Sequence, residues 1–299
     1  MYRTPQCLDT FGAVGANPAV LPPTTSLAQL RARYSALLLD AYGVLVDEDG
    51  ALPGAAEAVA ALERDAVPWL VVTNDASRSE ETNAARLRSL GLDVPPARIL
   101  SSGALITPWL REHGLGGARC AVLGSDDAVR FVARDGYEIV PARADAVVEA
   151  LVLADDAGFP FLDTMNAALS LLMRAFDAGR PPALLLANPD VIFPASGGRY
   201  GFTAGAMAVM LESALALRFP ELAPRFVPLG KPSPRIFAEA FARLGTRDAV
   251  MVGDQLHTDI AGAHAAGIAS ALCLTGVTSA DTVARSALRP TYLLPAIGA

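Results

Sequence analysis

Cysteine is scarce in this sequence: Cys7, Cys120 and Cys273 are the three cysteines among 299 residues. A disulfide-stabilised small domain needs more cysteines at short spacings, and a structural zinc site needs ligand pairs that lie close together in the chain. Because neither pattern is present, the three residues are interpreted as buried or bystander thiols.

Clusters of lysine and arginine are also absent, and the formal net charge is -7 at pH 7. Proteins that bind the phosphate backbone of nucleic acids need such basic clusters, so a nucleic-acid partner is not expected. An anionic small molecule would need a local cation to offset the negative field of the protein. A bound divalent metal could supply that positive charge.

Long apolar runs are missing as well. No stretch approaches the roughly 18 to 20 consecutive apolar residues that a membrane-spanning helix requires. Residues 1–27 are interrupted by several glycines and prolines and lack the apolar block of a signal peptide. These absences predict that the chain has no membrane partner and is cytoplasmic.

Apolar residues are abundant, at 52% of the chain against 18% charged residues. This balance is typical of folded domains with sizeable cores, and the length favours two ordinary domains. Apolar runs at residues 36–39 and 69–73 flank an alanine-rich helical stretch at residues 55–64. A strand, a helix and a strand in this order form a βαβ unit, which predicts a parallel sheet.

Three further strands are predicted at residues 225–231, 249–254 and 269–274. The first two end in a polar residue, and a polar residue directly follows the third. In open parallel sheets, ligands bind at the carboxyl ends of the strands. The stretch between the two halves of this pattern has strands and a helix of its own, which predicts an inserted second domain. Its predicted elements are strands at 120–123, 150–153 and 183–187 and a helix at 161–178.

The pattern divides the chain into an arm, a core and an insertion. Residues 1–25 lack periodicity and are assigned to an N-terminal arm. Residues 26–103 and 199–299 are assigned to the parallel-sheet core, and residues 104–198 to the inserted α/β domain.

Four short clusters at the strand ends resemble, in the same order, the motifs of the haloacid dehalogenase (HAD) superfamily. They lie at residues 40–45, 72–74, 230–232 and 253–259. The insertion between the second and third clusters is similar to that of the NagD-like subgroup, subclass IIA. The resemblance covers residue 27 to the end of the chain. It implies an α/β fold, with a Rossmann-like parallel-sheet core and an inserted α/β cap domain.

The resemblance implies a covalent mechanism on phosphate esters. Asp40 is the expected nucleophile, and Lys231 is the expected cation that contacts both Asp40 and the phosphate. A carboxylate attacks a phosphoryl group readily only where cations and hydrogen-bond donors neutralise the phosphate. Thr73 and Asn74 are the expected substrate-binding residues, through a hydroxyl and backbone N–H groups, together with Lys231.

The resemblance also implies Mg²⁺ as the cofactor. This ion prefers hard oxygen ligands and keeps several waters, so two carboxylates and one carbonyl are sufficient. The expected ligands are Asp40, Asp254 and the backbone carbonyl of Tyr42. Asp259 is expected to support the Asp254 loop from the second coordination shell.

In NagD-like enzymes the inserted domain selects the substrate. Residues 188–190 and 205–206 resemble recurrent segments of that subgroup. The acidic pair Asp155 and Asp156 follows a predicted strand and is interpreted as a strand-end turn, with a position facing the active site as the alternative. The predicted partner is a small phosphorylated metabolite, such as a sugar or nucleotide phosphate, and a homo-oligomer is left open.

One position departs from the phosphatase pattern. Phosphatases of this superfamily usually carry a second aspartate two positions after the nucleophile, where it acts as general acid and then general base. Tyr42 stands at that position here. A phenol, with a pKa near ~10, is a poor base at neutral pH, and general acid–base catalysis contributes roughly 10²- to 10⁴-fold. We therefore expect slow turnover, above all for leaving groups that need a proton.

Two alternatives to a phosphatase stay open at this point. Residues 40–43 are also similar to the first motif of 2-haloacid dehalogenases, in which the aspartate attacks carbon. Those enzymes lack the metal-binding acid of the fourth cluster, whereas this chain has Asp254 and Asp259. The other alternative is a catalytically weak protein that binds a phosphorylated metabolite through the retained metal and anion pocket.

Overall fold

The computed structural model describes residues 21–47, 49–195 and 199–299. Most of the predicted arm, residues 1–25, lies outside the described residues, and so does Cys7. The account of the fold below therefore begins with the first helix and the first strand of the core.

Strands and helices alternate along most of the chain, as the sequence predicts. The β-strands in chain order are β1 (Ala36–Leu39), β2 (Trp69–Thr73), β3 (Ile99–Ser101), β4 (Arg119–Leu123), β5 (Glu138–Ile139), β6 (Ala150–Leu153), β7 (Ala183–Leu186), β8 (Ile192–Ala195), β9 (Arg199–Phe202), β10 (Val227–Pro228), β11 (Ala249–Gly253), β12 (Ala269–Cys273) and β13 (Tyr292–Leu294). The α-helices are α1 (Leu27–Arg33), α2 (Ala55–Arg64), α3 (Glu80–Ser89), α4 (Ile106–Glu112), α5 (Asp126–Ala133), α6 (Phe161–Asp177), α7 (Ala204–Arg218), α8 (Pro234–Leu244), α9 (Ala261–Ala266) and α10 (Ala280–Arg285).

The first sheet contains six parallel strands in the order β13-β12-β11-β1-β2-β3. Strand β1 lies between β11 and β2. It pairs with β11 along its whole length and with β2 over residues 37–39. All residues of β1, β2 and β11 are buried, as expected for a parallel sheet with both faces covered. Because the strands point the same way, the carboxyl ends of β1, β2 and β11 lie side by side.

Helices cover both faces of this sheet because successive side chains of a strand point to opposite sides. Leu37 and Leu39 of β1 pack in one apolar cluster with residues of α1, α2 and α3. Leu38 packs in another cluster, with residues of α8 and α9. Side-chain packing on both faces therefore fixes the position of β1, and with it the position of Asp40, which directly follows the strand.

The second sheet contains five parallel strands in the order β10-β7-β6-β4-β5. Helices α6 and α7 pack against each other and cover one face, where Met207 and Leu211 of α7 share a cluster with Leu153 of β6. Phe131 of α5 and Val152 of β6 pack in the cluster that also contains Leu38. The two sheets thus share a continuous apolar contact, and β8 and β9 form a separate antiparallel pair.

The layer built on the second sheet extends further along the chain than the predicted insertion, residues 104–198. Residues 225–231 were assigned to a core strand, but β10 within that range pairs with β7 of the second sheet. Helix α7 also packs there, because its apolar face completes the cover over β6 and β7. We therefore propose that the inserted domain continues to residue 228, and the domain division as a whole stays a prediction.

Cys120 and Cys273 are buried free thiols, in agreement with their interpretation from the sequence. In the part of the chain that the structure describes, no helix has the length and apolar character needed to cross a bilayer. The cytoplasmic location stays a prediction.

Candidate active site

Polar side chains stand at the carboxyl ends of the three central strands of the first sheet. Asp40 directly follows β1, Thr73 ends β2, and Asp254 directly follows β11. All three side chains are buried, although aspartate and threonine are mostly exposed in proteins. Since β1 lies between β2 and β11, the three residues meet at one edge of the sheet.

Lys231 is the only lysine among the 299 residues, and 1% of its surface is exposed. Its Nζ atom lies 2.7 Å from Oδ1 of Asp40 and 2.8 Å from Oδ1 of Asp259. A buried ammonium group is strongly unfavourable unless it is paired, and these two carboxylates pair it. A positive charge is thereby fixed against the Asp40 carboxylate.

The side chain of Asn74 holds the backbone of Lys231 in place. Its Oδ1 accepts a hydrogen bond from the Lys231 N–H at 2.7 Å, and its Nδ2 donates to the Lys231 carbonyl at 2.9 Å. A Cβ atom at Gly230 would lie 2.4 Å from Oδ1 of Asn74, so this close approach requires glycine. The amide of Asn74 therefore positions the lysine, a contact that its predicted role through the backbone N–H did not include.

Asp259 is fully buried and links the lysine to the Asp254 loop. Its Oδ2 accepts hydrogen bonds from the N–H groups of Asp254 and Gln255, at 3.1 and 3.0 Å. Gly253 allows this packing, because a Cβ atom there would lie 2.1 Å from the carboxyl carbon of Asp259. Asp259 thus contacts both the Asp254 loop and Lys231, and its supporting role stays a prediction.

The charges at this edge depend on one another. Burial raises the pKa of the Asp40 carboxyl to about 7, and the positive charge of Lys231 limits that rise. Burial alone would lower the pKa of Lys231, but the charges of Asp259 and Asp40 raise it above its ordinary value. Lys231 is therefore a permanent positive charge at neutral pH, where a substantial share of Asp40 is ionised.

Asp254 is enclosed tightly by backbone. Its Oδ2 accepts a hydrogen bond from the Val277 N–H at 2.7 Å. Cβ atoms at Gly43 and Gly276 would lie 2.4 and 2.0 Å from the same oxygen, so a larger residue at either position would displace the carboxylate. The other oxygen, Oδ1, is buried and has no hydrogen-bond partner within the described residues.

Asp40, Asp254 and Asp259 offer three carboxylate oxygens that all lie within 4.8 Å of one another. Burial, followed by the charges of Asp259 and Asp40, raises the pKa of Asp254 well above its usual range. A buried carboxylate oxygen without a donor is unfavourable, and Oδ1 of Asp254 is such an atom. A hard divalent cation would supply the missing charge, with Asp40 and Asp254 among its ligands, so the donor set fits Mg²⁺.

A cavity of about 310 Å³ lies at this edge of the first sheet and is bounded on the other side by the inserted domain. Asp40, Thr73 and Asn74 line it from the first sheet. Carboxylate and amide groups of the inserted domain line it from the other side, namely Asp155, Asp156, Asn188 and Asp190. A ligand in this cavity would therefore contact the strand-end residues and the inserted domain together.

Comparison with known proteins identifies the family of this arrangement. Residues 37–138 match the family of haloacid dehalogenase-like hydrolases, and residues 228–299 match a HAD-hydrolase-like family. A solved structure from Cytophaga hutchinsonii, described as a possible sugar phosphatase of the HAD superfamily, is 31% identical with a TM-score of 0.80, and the match covers 93% of this chain and 99% of that one. The chain belongs to the haloacid dehalogenase superfamily.

Within the HAD superfamily the chain is NagD-like, as the order of the four clusters and the place of the insertion predicted. It is 27% identical over 264 residues to the ribonucleotide monophosphatase NagD of Escherichia coli, across 87% of this chain and 96% of that enzyme. A glycerol phosphate phosphatase of Mycobacterium tuberculosis, solved in complex with magnesium, is 30% identical with a TM-score of 0.74 over 88% of this chain and 76% of that one. The predicted α/β fold class is confirmed by the same similarity in structure.

Tyr42 occupies the position at which many HAD phosphatases carry their second aspartate. Its phenol oxygen accepts a hydrogen bond from Nη2 of Arg86 in α3, and the guanidinium carbon of Arg86 lies 5.1 Å from the centre of the Tyr42 ring. The ring also packs against the apolar cluster beneath α2 and α3. Tyr42 lines the cavity, but an arginine outside the predicted set of site residues holds its hydroxyl.

The structure brings together Asp40, Asp254, Asp259 and Lys231. Asp155 and Asp156 lie two and three residues after β6 and line the cavity, which agrees with the alternative interpretation of this pair, a position facing the active site, rather than with the preferred strand-end turn. The sequence did not single out Arg86, whose contact with Tyr42 joins two separate elements.

Proposed function

We propose that this chain is a Mg²⁺-dependent phosphatase of small phosphorylated metabolites that acts through an aspartyl-phosphate intermediate on Asp40. The observation that carries the proposal is the buried group formed by Asp40, Lys231, Asp259 and Asp254, of which Asp40 lines the cavity. A phosphoryl group needs a nucleophile and concentrated positive charge in one place, and this group of residues provides for both.

Asp40 supplies the attacking oxygen. The Lys231 ammonium group, 2.7 Å from Oδ1 of Asp40, orients the carboxylate and offsets the negative charge that an incoming phosphate would add. Asp40, Asp254 and the backbone carbonyl of Tyr42 would hold the Mg²⁺ ion, which supplies further positive charge beside the phosphate when it is bound. Asp259 positions Lys231 and the Asp254 loop without contacting the substrate itself.

Thr73 and Asn74 are proposed to bind the phosphoryl oxygens. The Thr73 hydroxyl accepts a hydrogen bond from the Asp75 N–H at 3.1 Å, which leaves its own proton for donation into the cavity. The backbone N–H of Asn74 lies at the same strand end. Two donors at this point would hold the phosphate against Asp40 in the orientation that attack requires.

The cavity volume of about 310 Å³ limits the substrate to a small molecule. Similar proteins are named for sugar phosphates, glycerol phosphates and ribonucleotide monophosphates. We therefore propose a phosphate ester of a small polyol, sugar or nucleoside as the substrate. The carboxylates of Asp155 and Asp156 on the cavity wall could accept hydrogen bonds from the hydroxyl groups of such a molecule.

The two other functions considered from the sequence fit these observations less well. Displacement of a halide has no phosphate to neutralise, and it gives no reason for three carboxylates within 4.8 Å beside an unpaired Oδ1 of Asp254. Binding without turnover would use the same metal and the same lysine, but it gives no reason for a carboxylate 2.7 Å from Lys231, whose negative charge would oppose a bound phosphate.

Phosphate release from a panel of sugar, glycerol and nucleoside phosphates, with Mg²⁺ and with a chelator, tests the proposal. We expect release that requires Mg²⁺, falls to background in Asp40→Asn, and rises in Tyr42→Asp, which restores a carboxyl at the usual position. Asp163→Asn, at an exposed site in α6, is the matched control and should retain the native rate. Absence of release from both the native chain and Tyr42→Asp would reject the proposal.

A further inference from the structure

Asp190 lies in the turn between β7 and β8, and three hydrogen bonds hold its backbone. Its N–H donates to Oδ1 of Asn188 at 3.0 Å. Its carbonyl accepts hydrogen bonds from the Thr203 hydroxyl and from the Gly205 N–H, the latter at 3.0 Å. A Cβ atom at Gly205 would lie 2.4 Å from that carbonyl oxygen, so the first turn of α7 packs directly on the turn.

The side chain of Asp190 extends from this fixed backbone into the cavity and contacts the side chain of Asn74. Its Oδ1 accepts a hydrogen bond from Nδ2 of Asn74 at 3.0 Å, the same amide that holds the backbone of Lys231. Asn74 thus holds one oxygen of this carboxyl, and the carboxyl lines the same cavity as Asp40.

This carboxyl has the acidity of a proton donor that works near neutral pH. Burial raises the pKa of Asp190 to about 6, although the charge of Lys231 and the hydrogen bond from Asn74 both act to lower it. A general acid is most effective when its pKa is close to the working pH, because it then both holds its proton and releases it.

A proton donor is needed at this place in the cavity. An alcohol leaves phosphorus poorly as an alkoxide, and in-line displacement places the leaving oxygen on the side of phosphorus away from Asp40. The inserted domain, with Asp190, forms that side of the cavity. Tyr42 stands at the usual position of the acid, but a phenol is a poor base for the second step at neutral pH.

We propose that Asp190 is the proton donor and acceptor of the reaction, a role that rests on the phosphatase function proposed above. As an oxygen of Asp40 bonds to phosphorus, the bond from phosphorus to the alcohol oxygen breaks, and that oxygen takes the proton of the Asp190 carboxyl. The Asp190 carboxylate then removes a proton from the water that attacks the phosphoryl-Asp40. Inorganic phosphate leaves, and both Asp40 and protonated Asp190 are restored.

Asp190→Asn tests this role with little disturbance, because the amide oxygen of asparagine can still accept the hydrogen bond from Asn74. The variant is compared with the native chain on p-nitrophenyl phosphate, whose leaving group departs without a proton, and on glycerol 3-phosphate, whose leaving group needs one. The measured quantity is kcat/KM, which covers only the steps up to departure of the alcohol.

We expect kcat/KM on glycerol 3-phosphate to fall by about 10²-fold or more, the usual contribution of a general acid. On p-nitrophenyl phosphate it should change by less than about 10-fold, and nitrophenol should appear in a burst of one per active site, because the second step has lost its base. Asp163→Asn is the control for loss of one charge from the inserted domain and should leave both values unchanged.

Equal losses on the two substrates in Asp190→Asn would assign Asp190 a structural role and overturn the inference. Unchanged values on both substrates would overturn it as well. A selective loss on glycerol 3-phosphate in Tyr42→Phe instead would assign the proton to the phenol. If the native chain released phosphate from neither substrate, the proposed function itself would fail, an outcome distinct from all of these.

Discussion

Replacement of Lys231 by methionine removes the cation that pairs two buried carboxylates while it keeps most of the side-chain volume. The ammonium group lies 2.7 Å from Asp40 and 2.8 Å from Asp259, and all three side chains are almost fully enclosed. Loss of one partner from a buried ion pair leaves an uncompensated charge and destabilises a protein by about 3 to 5 kcal/mol. We expect a loss of that size in the free energy of unfolding of Lys231→Met at about pH 8.

The loss should depend on pH. Burial already raises the pKa of Asp40 to about 7, and the charge of Lys231 is what limits the rise. In Lys231→Met the Asp40 carboxyl therefore binds a proton more tightly than in the native chain. Below this pKa the carboxyl is neutral and needs no cation, so the destabilisation should shrink when the pH falls to about 5.5.

Urea unfolding, followed by circular dichroism in the presence of a chelator, measures this difference. Arg235→Met is the matched control, because Arg235 also lies 2.7 Å from a carboxylate, that of Glu112, but both side chains are partly exposed to solvent. An exposed ion pair contributes at most about 1 kcal/mol. A loss in Lys231→Met no larger than the loss in Arg235→Met would refute the reasoning.

Three further predictions follow from the geometry. Gly276→Ala, with a Cβ atom 2.0 Å from Oδ2 of Asp254, should weaken Mg²⁺ binding by about 10-fold or more in calorimetry, because the ligand must shift. An amine-specific reagent should leave the Lys231 side chain unmodified in the folded chain and label it after denaturation, as mass spectrometry would show, since 1% of this residue is exposed. Burial, followed by the charge of Asp156, raises the pKa of Asp155 to about 6, so the folded chain binds this proton more tightly than the unfolded chain. The ionised carboxyl therefore destabilises the fold above about pH 6, and Asp155→Asn should raise the thermal midpoint at about pH 8 and leave it nearly unchanged at about pH 4.

Each of these predictions has a result that would contradict it. Gly116→Ala is the control for the first, because a Cβ atom there meets no other atom within 4 Å, and equal Mg²⁺ affinity in the two variants would contradict the steric argument. Rapid labelling of Lys231 in the folded chain would contradict its enclosure. The same shift in thermal midpoint at both pH values would show that Asp155→Asn acts through packing rather than charge.

The strand ends were predictable because burial on both faces restricts a strand to apolar residues. A parallel strand covered on both faces is a continuous apolar run, so the first polar residue after it is conspicuous, as Asp40 and Asp254 are. The helix predicted at residues 161–178 is α6, and the strand predicted at residues 150–153 is β6. Once the sheet was predicted to be parallel, the meeting of these ends at one edge followed.

The tertiary contacts could not be read in the same way, because residues far apart in the chain make them. Helix α7 is apolar on much of its surface, so its own sequence does not say which of the two sheets it covers. Residues 188–190 resemble a recurrent segment of NagD-like proteins, but the pairing of Asp190 with Asn74 joins positions 116 residues apart. Tyr42 was singled out as a missing acid, but the arginine that holds its hydroxyl lies on a different element, α3.

The central claim is that Asp40 carries the phosphoryl group during turnover. Its most direct test is to mix the native chain with p-nitrophenyl phosphate and Mg²⁺, quench in acid within the first turnover, and locate the phosphoryl group by peptide mass spectrometry. The account predicts one acid-stable, alkali-labile phosphoryl group on Asp40, and none in Asp40→Asn. Release of nitrophenol without a phosphoryl group on Asp40, or with the group on another residue, would contradict it.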